Sequence, residues 1–203
     1  MARPSSAIGM EVAARAKSLD SYLGRLERLY ANGQLSLQDL QRAYSGAFIH
    51  FFTFTERALE RLFLGHLMCR LTTTHKGVRP LIACKSDAVA RAIIGGQRRF
   101  ADWLPYQHTE NRAKCFLSQG KPFSSLNANQ KQHFDILSIL RNALAHDSAH
   151  AHKQFRKRLI DGRSLPSRDH KPPNYLRGLH AVGQTRLNYI LSEVVLVMQS
   201  LCR

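Results

Sequence analysis

Three observations predict an all-α fold. Apolar residues recur at helical spacing over most of the chain, helix-starting residue pairs stand before the longest of these stretches, and no stretch alternates apolar and polar residues as a strand would. With 203 residues the chain is long enough to bury a core without disulfide or metal staples. Residues 1–203 read as a single all-α domain, a helical bundle with long central helices.

The elements follow in order. Residues 7–31 carry Ile8, Val12, Leu19, Leu23, Leu26 and Tyr30 at steps of three, four and seven, which predicts an amphipathic helix ended by Asn32-Gly33. Ser36 and Asp39 form a capping pair for a second helix running to about Leu71. Its apolar arc is wide, with Phe48, Phe51, Phe52, Thr55, Leu59, Leu62, Phe63 and His66, so it belongs at the centre of the fold, bent near Gly46 or Gly65. Residues 72–85 read as loop. A short helix over 86–94 is capped by Ser86 and ended by Gly95-Gly96. Residues 97–126 are mixed, broken by Pro105, Gly120 and Pro122, with a turn or two of helix over 108–118. Asn127 with Gln130 opens a long helix that continues to about Ile160, where Asp161-Gly162 ends it. Residues 162–180 contain Pro166, Pro172 and Pro173 among basic side chains and read as an extended basic loop. A last helix over 182–201 carries Leu187, Ile190, Leu191, Val194, Met198 and Leu201 on one side.

Charge narrows the function classes. Thirty Lys and Arg against 14 Asp and Glu give a formal net charge of +16, with 10 His in addition. That balance points to a polyanionic partner, nucleic acid first and an anionic membrane or acidic protein second. Cys69, Cys84, Cys115 and Cys202 show neither a CxxC pair nor metal-ligand spacing, so four reduced thiols in a cytoplasmic protein are expected. No apolar run approaches the ~18–20 residues of a membrane span, and the N-terminus has no apolar leader segment, so neither a membrane nor a secretory role is expected.

The 127–160 helix concentrates the chemistry. His133, Leu137, Leu140, Leu144, Ala151 and Phe155 form one stripe; Ile136, Ile139, Ala143, His146 and His150 form another. The first half is therefore apolar on two sides. Either a second subunit covers the second side or the helix is wholly buried within one domain. Asn142 and His146 are four residues apart and share a face, which His150 and Lys153 continue, and the long side chain of Arg141 can swing towards a phosphate near His146. A guanidinium grips a phosphodiester with two prongs and an imidazole moves protons near neutral pH. Lys153, Arg156 and Lys157, together with Arg158, add a basic track. Each feature has an ordinary structural alternative. A lone helical histidine is usually part of the surface or the core, and a run of cations is usually a solvated face. His146, His150 and His152 have metal-ligand spacing, but only Asp147 is near enough to add a ligand and it points off their face, so no metal and no cofactor is expected. Cys115 has no local partner to make it a nucleophile.

The run Leu140-Arg141-Asn142-Ala143-Leu144-Ala145-His146-Asp147-Ser148-Ala149 resembles the catalytic segment of the HEPN superfamily, whose signature is an arginine, four to six residues, then a histidine, often with asparagine after the arginine. Gly120-Lys121-Pro122-Phe123-Ser124 before it, and Leu165-Pro166, Pro173 and Tyr175-Leu176-Arg177 after it, are similar to the RiboL-PSP-type branch. The resemblance covers roughly residues 40–200. It implies a helical bundle that dimerises so that two Arg/His sets meet in one cleft. It also implies metal-independent endoribonuclease activity, in a toxin–antitoxin, phage-defence or RNA-processing setting with a possible antitoxin or defence-system partner protein. On the family pattern Arg141, Asn142 and His146 are the catalytic residues. The tyrosine that some members carry two residues after the histidine is Ser148 here.

Cutting RNA without a metal requires a base for the ribose 2′-hydroxyl, an acid for the leaving 5′ oxygen, and charge to stabilise the phosphorane. The expected assignment is His146 as base and acid from two copies, Arg141 on the non-bridging oxygens, Asn142 as an orienting group, and Lys153, Arg156 and Lys157 as RNA-binding residues. The alternatives are a non-catalytic HEPN-like module that binds RNA or a nucleotide for assembly, and a helical DNA-binding or scaffold protein.

Overall fold

A computed structural model describes residues 2–84, 86–96, 101–146 and 148–203. It is 71% helical, with eight α-helices among the described residues. These are α1 (Ser6–Ala31), α2 (Leu37–Leu67), α3 (Asp87–Gly95), α4 (Tyr106–Phe116), α5 (Ala128–Ala145), α6 (Ala149–Phe155), α7 (Pro172–Arg177) and α8 (Arg186–Leu201). The long helices α1 and α2 pack together. The chain divides into two compact units, one made of the residues up to Ala13 with Phe54–Asp135 and Val194–Arg203, the other of Ala14–Thr53 with Ile136–Glu193.

In the first unit the C-terminal half of α2 supplies Leu59, Leu62 and Phe63, all fully buried. Phe63 packs against Trp103 and Phe123 at ring separations of 5.1 and 5.6 Å, and Tyr106 stacks on Phe134 at 4.9 Å. The Tyr106 hydroxyl donates to the Phe123 carbonyl, so the one polar atom of that ring is satisfied. Glu110 is buried, which works against its charge, but hydrogen bonds from Lys114 and Lys131 outweigh this and hold its carboxyl below the ordinary range. A two-residue strand, β1 (Arg3–Pro4), pairs in parallel with β2 (Leu71–Thr72), and the Ser5 hydroxyl donates to the Cys202 carbonyl. Burial pushes the Cys202 thiol up to about 12.

In the second unit, Tyr44, Phe48, Phe51 and Phe52 of α2 are buried along with Leu137 and Leu140 of α5 and Leu187, Ile190 and Leu191 of α8. Glu27 of α1 accepts from the Tyr44 hydroxyl at 2.8 Å and from Arg177 at 2.9 and 3.0 Å. Arg186, at the start of α8, is buried. It donates to the Asp169 carboxylate at 2.9 Å and to the Tyr175 carbonyl at 3.1 Å, and lies over the Tyr175 ring. A buried ion pair requires such supporting bonds to offset its desolvation. Gly178 makes the arrangement possible, because a Cβ there would overlap both the Arg186 guanidinium and the Asp169 carboxylate.

The capping pairs read from the sequence are in place. The Asn127 carboxamide accepts from the Gln130 N–H and the Gln130 side chain accepts from the Asn127 N–H. Ser36 caps at the Asp39 N–H, and Ser86 caps α3, which closes at Gly96. Four expectations are corrected. The expected helix over 127–160 is broken: α5 ends at Ala145, α6 begins at Ala149, and residues Arg156–Ile160 form a π-helical turn. The expected extended loop over 162–180 contains a 3₁₀ turn at Ser167–His170 and helix α7, with Pro172 and Pro173 in its first turn, where a missing N–H costs nothing. The second helix stops at Leu67, because Cys69 takes a left-handed conformation (φ 53°) and turns the chain into β2. Four very short strands occur where none was expected. The second pair is an antiparallel hairpin of β3 (Leu179–Ala181) and β4 (Gln184–Thr185), turned at Gly183 with φ 75°.

Two stability predictions follow from these packing details. His66, in the last turn of α2, is 3% exposed and its Nε2 has no hydrogen-bond partner among the described residues. Burial, with a smaller contribution from His75, lowers its pKa from 6.5 to about 4. The unfolded chain therefore takes up the proton first, so this contribution is intact above pH 6.5 and is lost as pH falls towards 4, at most about 3 kcal/mol. Denaturant unfolding curves across that window measure it, and His66→Leu is expected to flatten the dependence. The other change is Gly178→Ala, at a backbone φ of −58° that any residue accepts. Its cost is steric, through the displaced Arg186–Asp169 pair, and should be about 3 kcal/mol by urea denaturation.

Candidate functional site

Helix α5 reaches the surface at its C-terminal end, and the three residues of the motif stand there. Residue Ala143, between them, is buried and fixes the helix face; Arg141 is half-buried, and Asn142 and His146 are exposed. The last α5 bond runs from the His146 N–H to the Asn142 carbonyl at 3.0 Å. This keeps the two residues one turn apart on one face, as their spacing implies.

The side chains meet. Arg141 Nη1 donates to Asn142 Oδ1 at 3.1 Å and lies 2.8 Å from His146 Nε2. A guanidinium has no lone pair, so His146 Nε2 is the acceptor and its proton sits on Nδ1. Both protons of Nη1 are thereby used. The Nε–Nη2 edge of Arg141 makes no hydrogen bond among the described residues, and that edge makes two-pronged contacts to phosphate. The Phe52 ring of α2 lies 6.0 Å from the guanidinium carbon, a distance at which the ring face attracts the cation. Phe52 is a member of the site that sequence reasoning missed. Its spacing on α2 marks it only as core, and nothing in the sequence links it to residue 141.

The other expected site residues lie beyond the break. Ser148 adopts an extended conformation and its hydroxyl accepts from the Ala151 N–H at 3.2 Å, so it caps α6. His150 and Lys153 are exposed on α6, and Arg156, Lys157 and Arg158 are exposed on the π-helical turn. They do not continue the α5 face that carries Asn142 and His146; that expectation assumed one unbroken helix. The π turn spreads its three cations outwards while Leu159 and Ile160 are buried. Lys153, Arg156 and Lys157 make no ion pair among the described residues. Arg163 reaches the Tyr175 hydroxyl at 3.5 Å. Arg168 and Lys171 belong to the folded 3₁₀ and α7 segment.

The apolar stripe expected to need a second subunit is partly covered within the chain. Ala143 is buried and Ile136 and Ile139 are half-buried. Among the described residues no group of three or more His, Cys, Asp or Glu is gathered as a metal site, and no helix is long and apolar enough to cross a membrane. Asp147, the one carboxylate considered for a metal with His146 and His150, lies outside the described residues. Comparison with protein-family models, with curated proteins and with solved structures returns no match.

Proposed function

We propose that this chain is a metal-independent endoribonuclease of HEPN type, acting in the cytoplasm as a toxin or phage-defence effector. The observation that carries the reading is the hydrogen-bonded set Arg141, Asn142 and His146 at the exposed end of α5. A phosphodiester held on the Nε–Nη2 edge of Arg141 lies within reach of the imidazole of the same chain. The net charge of +16 and the exposed Lys153, Arg156 and Lys157, which make no ion pair among the described residues, support a polyanionic substrate.

The chemistry is transesterification. The ribose 2′ oxygen attacks phosphorus, the bond to the 5′ oxygen breaks, and the products are a 2′,3′-cyclic phosphate and a 5′-hydroxyl. A neutral His146 takes the 2′ proton, and a protonated His146 gives one to the leaving oxygen. In the resting site Arg141 occupies Nε2, so the base forms only when the 2′-hydroxyl replaces Nη1 as the partner of that nitrogen. The acidic form is an imidazolium, which repels the guanidinium and breaks the same contact. Base and acid roles on one phosphate therefore call for two copies of His146, which a homodimer supplies. DNA has no 2′-hydroxyl and is not cut.

With total RNA in EDTA, the purified protein should generate cyclic-phosphate ends. Arg141→Ala and His146→Ala should each lower the cleavage rate at least about 10²-fold with unchanged circular dichroism. Parental rates in either variant would remove the assignment. The basic residues act separately, through the RNA backbone. Neutralising Lys153, Arg156 and Lys157 together should lower the slope of log affinity against log salt by about 0.7 for each lost contact on single-stranded RNA. Filter binding from low to high salt measures this, and the cut sites should not move.

A further inference from the structure

A second site lies elsewhere in the same unit. A cavity of about 530 Å³ is lined by residues of α1, the first residue of α2, the 3₁₀ turn, α7 and the β3–β4 hairpin. Its polar lining is unequal in what remains to be bonded. The carboxylates face cations of the fold: Glu27 accepts three hydrogen bonds from Tyr44 and Arg177, and Asp169 accepts through Oδ2 from the buried Arg186. The Asn174 carboxamide donates to the Arg168 carbonyl and accepts from Gln41. The donors are not all committed. Arg177 is bound to Glu27 through Nε and Nη2 and lies over the Tyr30 ring at 4.9 Å, which leaves Nη1 with no hydrogen bond among the described residues. The Arg168 side chain is 83% exposed and its nearest carboxylate oxygen is 3.7 Å away, beyond hydrogen-bond distance. The Thr185 oxygen accepts from the Asn188 N–H, so its own proton is still available.

The residual donors are thus two guanidinia and the Thr185 hydroxyl, with the Tyr30 hydroxyl and the Oδ1 of Asp169 also at the lining, beside apolar walls formed by Leu37 and Leu179, which are 43% and 65% exposed. We propose that this cavity binds an anionic organic molecule, a phosphate monoester with an aromatic or aliphatic body. The phosphate meets Arg168, Arg177 Nη1 and Thr185, and the body covers Leu37 and Leu179. Planar guanidinia recognise tetrahedral oxyanions by paired N–H donors. Arg177 is held rigid by Glu27 and Tyr30, so little of its side-chain entropy is lost on binding. The buried Arg186–Asp169 pair holds the wall of the cavity, and with Arg168 also 3.7 Å from Asp169 two guanidinia share one carboxylate, which leaves one net positive charge there. The site is independent of Arg141 and His146.

The test uses 1-naphthyl phosphate as probe, with inorganic phosphate and 1-naphthol as controls, on the full chain by calorimetry. The expected result is saturable binding of the ester, with both controls at least about ten-fold weaker, since each lacks half of the contacts. Arg168→Ala, at an exposed side chain, should weaken the ester about ten-fold. Leu179→Asp should weaken it as far by removing the apolar wall and adding a like charge. Arg141→Ala should leave the affinity unchanged, whether or not it affects RNA cleavage. No saturable binding up to millimolar ester, or binding that Arg141→Ala weakens and Arg168→Ala does not, overturns the proposal.

Discussion

The second helix sets the constraint that the rest of the chain satisfies. Over 31 residues α2 presents a wide apolar arc, from Leu40 and Tyr44 to Leu64 and Leu67, and leaves a narrow exposed stripe of Arg42, His50, Thr53, Arg57 and Arg61. An apolar arc of that width must be covered on more than one side. In one unit Trp103, Phe116 and Phe123 close on Phe63; in the other Glu27 and Asn174 fix its polar fringe at Tyr44 and Gln41. The polar atoms drawn in with this coverage are mostly met by partners. His66 is an exception, and its uncharged state is the consequence.

The candidate site depends on the same coverage. The Phe52 ring is buried as core, yet its face lies against Arg141. The guanidinium is thus held between an aromatic surface and two polar neighbours, Asn142 and His146. The break after Ala145 then matters as much as the motif. With α5 ending there, His146 stands at a helix end and is exposed, where a continued helix would place further turns beside it. Ser148 produces the change, because its hydroxyl captures the Ala151 N–H that an unbroken helix would bond through its backbone.

That break shows where the sequence is legible and where it is not. Local pairs such as Asn127 with Gln130 and Ser36 with Asp39 announce helix starts because both partners lie within one turn, and Ser86 and Gly96 mark the two ends of α3 through bonds equally local, to Val89 and Ala92. The closeness of Arg141, Asn142 and His146 is local for the same reason. Ser148 is ambiguous: serine is tolerated within a helix and favoured at its start, and no glycine or proline marks the interruption. The 162–180 segment is hidden differently. Its prolines read as loop, yet Pro172 and Pro173 open α7, and what orders the segment is a buried pair between residues 17 positions apart, Asp169 and Arg186. Periodicity registers neither the pair nor the Gly178 that makes room for it.

Charge carries the last lesson. A formal excess of 16 cations invites the view that every basic residue faces a polyanion. The structure divides them. Arg61, Arg177 and Arg186 are tied to Glu11, Glu27 and Asp169, and Arg186 is buried. Their charge is answered within the fold; removing the buried Arg186 would cost stability, whereas the exposed Arg61–Glu11 pair contributes little. Lys153, Arg156 and Lys157 are exposed and without such partners among the described residues, so their charge acts outwards, screened by salt. Two neighbouring segments of similar composition therefore have opposite roles. Residues 149–160 offer cations to solvent, whereas 163–186 uses Arg177 and Arg186 to hold the chain together. Arg168 shares Asp169 with Arg186 at the longer distance of 3.7 Å, and it is the net charge of that trio which the proposed anion site uses.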